Sequence, residues 1–308
     1  MNELAPIALF VYNRLWHTQQ TVDSLLANPQ AHKSDLFIFS DGNKDTYQVQ
    51  NMENVRKYIR TVKGFKSVTI CERNENIGLA NSIIDGVTQV VNNFGKIVVL
   101  EDDLFLSRFF LEYMNTALTF YEKEEKIISI HGYRYPVEDE LPETFFLKGA
   151  DCWGWATWKR GWALFEKDAE KLLLEIKKQN LEKEFTFNSS MDYMKMLKNQ
   201  IEGKIDSRAI RWYASAFLQE KLTLYPGVSL VNNIGSDNSG THLGKTQKFT
   251  TQTAEKEIVL SPIPIEESIF AKKAFENYFK LIRPNILQKI YTEVKRLKKR
   301  RQQLKDRD

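Results

Sequence analysis

Lys96-Ile97-Val98-Val99-Leu100 runs directly into Glu101-Asp102-Asp103-Leu104. A β-branched, apolar run of this kind reads as a strand buried on both faces, and such strands belong to parallel sheets whose carboxyl ends open into a ligand crevice. Three adjacent carboxylates at the end of one strand repel each other. One of them can cap the following helix while the others are solvated. Alternatively, a divalent cation, which takes oxygen ligands and shares them with substrate phosphates, relieves all three. Spacing alone leaves both readings open.

The residues before this strand repeat its pattern. Pro6 to Tyr12 is a short apolar run that ends in Asn13-Arg14, and Asp35 to Ser40 is a second that ends in Asp41-Gly42. Ser67 to Cys71 is a third, ending in Glu72-Arg73-Asn74-Glu75-Asn76-Ile77-Gly78. Helical patterns separate them: His17 to Leu26, about Gln48 to Val62, and a stretch with Ala80, Ile83, Ile84, Val87, Val91 and Phe94 on one face. Strand and helix alternating over short connections predict a parallel sheet covered on both sides. The polar end of each strand should then line one crevice, bringing together Asn13, Arg14, Asp41, Gly42, Arg73, Asn76, Gly78 and the acids at 101 to 103. Neither G-x-G-x-x-G after the first strand nor G-x-x-x-x-G-K-[ST] is present, so an ordinary dinucleotide fold and a P-loop are unsupported.

With 308 residues the chain can bury one large α/β core, and 42% hydrophobic and 27% charged residues argue against long disorder. The first six residues lack a basic stretch followed by a long apolar one, so no signal peptide is expected, and no run is long enough to span a bilayer. Cys71 and Cys152 are too few for a disulfide framework, and four histidines spread along the chain disfavour zinc. These features predict a reduced, cytoplasmic protein. The net charge of +4 is concentrated at the end, because the segment from Pro284 to Asp308 carries nine bases and three acids. The body is therefore close to neutral and does not look like a nucleic-acid binder. Ile290, Val294 and Leu297 share one face of that basic helical stretch, which suits the inner face of an anionic membrane, a partner, or a solvated helix equally.

After the acids, Ser107 to Tyr121 is amphipathic and Ile127 to Ile130 reads as a strand. Trp155, Trp158, Trp162 and Phe165 recur at intervals of three and four, more often the mark of a core face than of a substrate platform; Trp153 and Gly154 just ahead are better ligand candidates. Glu166 to Lys183 looks like an exposed peripheral helix. Asp206 stands at the head of a partly buried helix, where position alone favours a cap. Thr223 to Tyr225 and Ser229 to Val231 read as short strands before the turn-rich Asn233 to His242, in which the histidine is either a solvated turn residue or held for chemistry. Ile258 to Ile265 is a strand or extended link, and Ile269 to Ile282 is helical.

In this order the pieces resemble the GT-A-fold glycosyltransferases, and more closely bacterial surface-polysaccharide enzymes that share a Glu-Asp-Asp motif with the N-acetylglucosaminyltransferase I family. The matching stretches are Pro6 to Arg14, Phe39-Ser40-Asp41-Gly42, Arg73 to Ala80, Val99 to Asp103, Trp153-Gly154-Trp155, and Asp206 through His242. They cover most of the first 242 residues, and the chain after about Lys248 lies outside the match. The resemblance implies a Rossmann-like nucleotide-sugar-binding sheet (1–130) and an acceptor-side subdomain (131–248), with a helical, basic extension over 249–308. It places Asn13, Arg14 and Asp41 against base and ribose, Arg73 near the base or diphosphate, and Asn76, Gly78, Trp153 and Gly154 in the same donor crevice. Asp103 would bind Mn2+ or Mg2+ with His242 completing the site, while Glu101 and Asp102 contact ribose, donor sugar or metal-bound water.

An inverting transfer needs a base for the acceptor hydroxyl. By order in the chain Asp206 matches the family's base, although Ile205 precedes it where an aromatic is expected; Asp151 is the second candidate. The implied activity is metal-dependent transfer of a hexose or N-acetylhexosamine from a nucleotide-sugar, UDP-linked by preference, to a glycan or lipid-linked acceptor. Two rivals are a catalytically inactive nucleotide- or glycan-binding scaffold and a sugar-nucleotide nucleotidyltransferase. The second would need a Gly-rich loop with Arg and Lys after the first strand, which is missing. Donor and acceptor choice should depend on loops at about 137–147 and 181–203.

Overall fold

The computed structural model describes residues 3–44, 47–237 and 246–283. In the first third, β1 (Ile7–Val11), β2 (Asp35–Ser40), β3 (Ser67–Glu72) and β4 (Lys96–Glu101) alternate with α1 (Leu15–Leu26), α2 (Val49–Ile59) and α3 (Leu79–Phe94). Every residue of β1 is buried, as continuous apolar runs covered on both faces require. Then come β5 (Leu104–Leu106), α4 (Phe110–Phe120), β6 (Ile127–His131), β7 (Thr144–Lys148), β8 (Trp155–Trp158) and α5 (Lys159–Trp162). The last part holds α6 (Ala169–Lys178), α7 (Glu182–Phe185), α8 (Tyr193–Ile201), α9 (Arg208–Leu218), β9 (Leu222–Pro226), β10 (Val231–Asn233) and α10 (Ile269–Ile282).

Among the described residues the main sheet has the order β3-β2-β1-β4-β8-β6-β9-β7, and β10 pairs with β5 in a small second sheet. The first four of that order are mutually parallel, and β6 and β9 are parallel to each other. Among the described strands of the main sheet, only β8 and β7 run against their neighbours. The fold is thus mixed α/β around a mostly parallel sheet, as expected from the alternation. Six strands end on one side, and that shared edge collects the polar termini.

The sheet separates two apolar layers. Ala8, Phe10, Val99, Trp155, Trp162 and Trp212 pack on one face, while Leu9, Val98, Leu100, Ile130, Ala156 and Trp158 belong to the larger layer on the other. The tryptophan spacing is therefore corrected in part: these residues are core, but Trp155 and Trp158 lie on a strand and face opposite layers, and only Trp162 and Phe165 stack on each other, at 4.7 Å. A strand places residues three apart on opposite faces, whereas a helix would have aligned them.

Two further expectations change. The stretches at 137–147 and 181–203 are not plain loops, since the first runs into β7 and the second holds the whole of α7 and α8. Glu166 to Lys183 contains α6, whose Leu172 and Ile176 are buried, so only its other face is peripheral. The chain after Lys248 packs back on the main core through Ala254, Ile258, Ala271, Phe275 and Phe279. Within it, 258–265 forms neither helix nor strand. Both cysteines are free thiols. No helix of the described residues is long and apolar enough to cross a membrane.

Candidate active site

Arg14 leaves the end of β1 just before α1, and its Nη2 donates to both Asp102 and Asp103, the latter at 2.9 Å. Burial works against its charge, yet the two carboxylates override that and hold its proton more firmly than water would. Asp102 is 5% exposed, and its carboxyl is pushed upward by burial although Arg14 pulls the other way. Glu101 is also raised, by burial first, against the opposing pull of Arg208. Arg208 Nη2 stands 3.5 Å from Glu101 Oε1, and its guanidinium lies 5.0 Å over the ring of Trp155. The repulsion expected among the three acids is thus relieved by two guanidiniums for Glu101 and Asp102. Asp103 shares only its Oδ2 with Arg14, and its side chain keeps 15% exposure.

The loop after β10 presses on the same place. Ile234 N–H donates to the Asp103 carbonyl at 2.8 Å, and a Cβ on Gly235 would lie 2.1 Å from Asp103 Oδ2. A larger side chain there would have to push the Asp103 carboxylate away from Arg14. The chain continues from this contact toward His242, which lies outside the described residues.

Asp41, at the end of β2, is buried and commits both oxygens to backbone: Oδ1 accepts from Gly42 and Ile77, and Oδ2 from Gly78 at 3.0 Å. Asn76 Nδ2 donates to the Gly42 carbonyl at 2.8 Å. Gly42 has no room for a Cβ, which would sit 2.2 Å from the Glu75 carbonyl carbon. Gly78 opens α3 with φ +82, a region open to glycine at little cost, and a Cβ there would lie 3.3 Å from Asp206 Oδ2. Arg73 instead turns to Asp85 of α3, and Asn13 donates to Gln48 at 2.8 Å.

Asp206 does not cap α9. Ser207 does, accepting from Ile210 N–H. The two residues are neighbours of similar capping ability, and backbone conformation decides between them. Asp206 is left with Oδ1 near Arg211 Nη2 at 3.3 Å and with Oδ2 3.3 Å from where a Gly78 Cβ would be. The structure therefore brings Arg14, Asp41, Asn76, Gly78, Glu101, Asp102, Asp103 and Asp206 to one edge, and holds Arg73 and Asn13 against other partners. Arg208 was missed by the sequence reading. Its position two residues after Asp206, in a helix with a buried face, was the available signal.

Asp151, Trp153 and Gly154 lie in the β7–β8 connection. Trp153 packs edge-on against Tyr133 at 4.7 Å, and Gly154 accepts from Gly132 N–H at 2.7 Å. His131, wholly buried at the end of β6, has Nε2 3.7 Å from Asp151 Oδ2. Burial pushes its pKa down to about 4 against the opposing pull of Asp151. The native state accordingly binds fewer protons than the unfolded chain, whose imidazole titrates near its usual value of about 6.5. His131 stabilises fully above that value, and the contribution is lost as pH falls through about 4. Urea unfolding is expected to show wild type losing roughly 3 kcal/mol more than His131→Phe between about pH 7.5 and about pH 4. Parallel losses in the two proteins would show that His131 titrates normally.

No family model matches this chain, and no curated protein matches it. Distant likeness appears among solved structures. A mannosyltransferase from Pyrobaculum calidifontis, in complex with GDP-Man and Mn2+, is similar over 44% of this chain and 39% of its own, at 14% identity and TM-score 0.33. S. aureus TarS 1–349 is similar over 73% and 59%, at 10% identity and TM-score 0.37. A cytidylyltransferase from Leptospira borgpetersenii is similar over 56% and 64%, at 13% identity and TM-score 0.32. This chain spans less than two thirds of the length of each.

Proposed function

We propose that this edge is the active site of a metal-dependent, inverting glycosyltransferase of GT-A type, moving a sugar from a nucleotide-sugar, UDP-linked by preference, to a glycan or lipid-linked acceptor in surface-polysaccharide synthesis. The observation that carries the reading is the meeting of the β4 acids, Arg14, the Asp41-held loop and Asp206, whose Oδ1 pairs with Arg211 while Oδ2 faces Gly78, at the ends of parallel strands. The division at about residue 130 into a donor half and an acceptor half belongs to the same proposal.

The donor set suits Mn2+ or Mg2+ through Asp103, which has hard oxygens and residual exposure. Among the described residues no group of three or more His, Cys, Asp or Glu could hold an ion, so substrate phosphates and His242 would complete the coordination. When bound, such an ion neutralises charge developing on the leaving diphosphate. Asp41 acts by fixing the backbone of Ile77 and Gly78 against the donor. Asp206 takes the acceptor hydroxyl proton as that oxygen attacks the anomeric carbon.

Calorimetry with UDP, GDP, CDP, dTDP and ADP, each with Mn2+ or with chelator, tests this. One nucleotide should bind at least about tenfold more tightly with the ion, a difference of about 1.4 kcal/mol. Metal-independent binding of all five, or none, would remove the mechanism.

The basic tail from Pro284, outside the described residues, is proposed to meet an anionic membrane, which suits a lipid-linked acceptor. The full chain should sediment with phosphatidylserine vesicles at low salt and be released by about 0.5 M salt. If a chain ending at Arg283 sediments equally, the tail is not the contact.

A further inference from the structure

The β7–β8 connection carries a carboxylate that the acidic edge does not use. Asp151 Oδ1 accepts from Cys152 N–H at 2.8 Å, and Oδ2 accepts from the Tyr135 hydroxyl at 3.1 Å. Its side chain is 22% exposed, and no Lys or Arg pairs with it among the described residues. Behind it stands His131, buried, neutral, and with both ring nitrogens lacking a hydrogen-bond partner. A carboxylate this enclosed would ordinarily be paired with a cation. Here only neutral donors hold it, and one side stays open.

Rings form the walls. The half-buried Trp153 packs edge-on against Tyr133, which packs in turn against Tyr135, and the half-buried Tyr193 bonds Tyr135 through its hydroxyl. Tyr135 is itself wedged against Phe275 and Phe279 of α10 at 5.1 and 4.8 Å, so the C-terminal segment supports the carboxylate from behind. Cys152, the next residue, lies within the field of Arg208, Glu101 and Asp103. In the sheet, His131 is opposite Trp155, which is opposite Val99, two residues before Glu101. Two strand spacings, about 10 Å, therefore separate the cluster from the acidic edge.

We propose that Asp151, Tyr135, Trp153 and Tyr193 form a subsite for an uncharged pyranose, a neutral hexose or N-acetylhexosamine of the acceptor. Assigning it to the acceptor rests on the glycosyltransferase reading. An ionised carboxylate is acceptor-only and matches the hydroxyls of a sugar edge, while the aromatic walls take its apolar face. The same unpaired charge repels a uronic acid or a sugar phosphate, which gives the subsite its selectivity. Asp151 thereby acts by holding the acceptor, and Asp206 remains the base.

The test titrates the full chain with methyl glucoside, methyl N-acetylglucosaminide and methyl glucuronide, read by saturation-transfer NMR without nucleotide, with the nucleotide panel measured on the same protein. Both uncharged glycosides should bind at least about tenfold more tightly than the glucuronide. Asp151→Asn should weaken them about tenfold and erase the discrimination, and Tyr135→Phe, which keeps the ring in place, should weaken them about threefold. Equal binding of glucuronide to wild type, or variants that bind like wild type, overturns the subsite. Absence of glycoside binding while a nucleotide still binds also overturns it and leaves the donor reading standing. Asp151-dependent glycoside binding without nucleotide binding leaves a glycan site and removes the donor reading.

Discussion

Asp206→Asn is expected to lower turnover about a thousandfold while nucleotide binding stays within about twofold. The substitution keeps shape and removes the basic oxygen. Asp206 has no bond to Arg14, Asp102 or Asp103, and asparagine keeps its shape beside Gly78, so nucleotide binding should hold. Stability should change little, because the Asp206 carboxylate is half-exposed although Arg211 is buried, and pairs open to solvent contribute little. Arg211 also keeps its bonds to the Ser207 and Lys167 carbonyls. Nor is a helix cap lost, since Ser207 supplies it. The measurement is steady-state transfer from the nucleotide-sugar selected by calorimetry, together with nucleotide titration of the variant. Retained turnover would move the base elsewhere, with Asp151 the next carboxylate to replace. Lost nucleotide binding would place Asp206 in the donor site instead.

Arg14→Met is expected to cost about 3–5 kcal/mol of folding free energy at neutral pH, the usual consequence of removing one partner from a buried ion pair. Asp102 would be left nearly enclosed, with its main compensating charge gone. Its carboxyl is already pushed upward by burial, and losing Arg14 pushes it further. The folded variant then prefers the protonated acid, whose stabilising effect is present at low pH and fades as pH rises through that higher value. The deficit relative to wild type should therefore narrow as pH falls toward about 5. Denaturant unfolding at two pH values checks both sign and size. A deficit under about 1 kcal/mol that ignores pH would mean that Asp102 finds its counter-charge elsewhere.

How much of this was readable beforehand differs by element. β1 to β4 were legible because each is a continuous apolar run ending in polar residues, and the helices between them show regular spacing. β8 was not, because four residues with tryptophan at each end fit a helical spacing as well as an extended one. β7 was hidden in an apparent loop for the same reason: a five-residue strand is too short for periodicity to separate from irregular chain.

The sequence by itself determined the α/β class and the gathering of strand ends, since buried parallel strands leave their polar termini nowhere else to go. Only the tertiary structure decided what each acid does. Asp41 turned out to hold backbone, Asp102 to face Arg14, Glu101 to face Arg208, and Asp206 to be spared by Ser207. α10, far along the chain, proved to support Tyr135 beside Asp151. Local pattern reports which residues prefer burial, but partners for a carboxylate come from segments as much as 107 residues apart, and their energies depend on burial that only the folded chain creates.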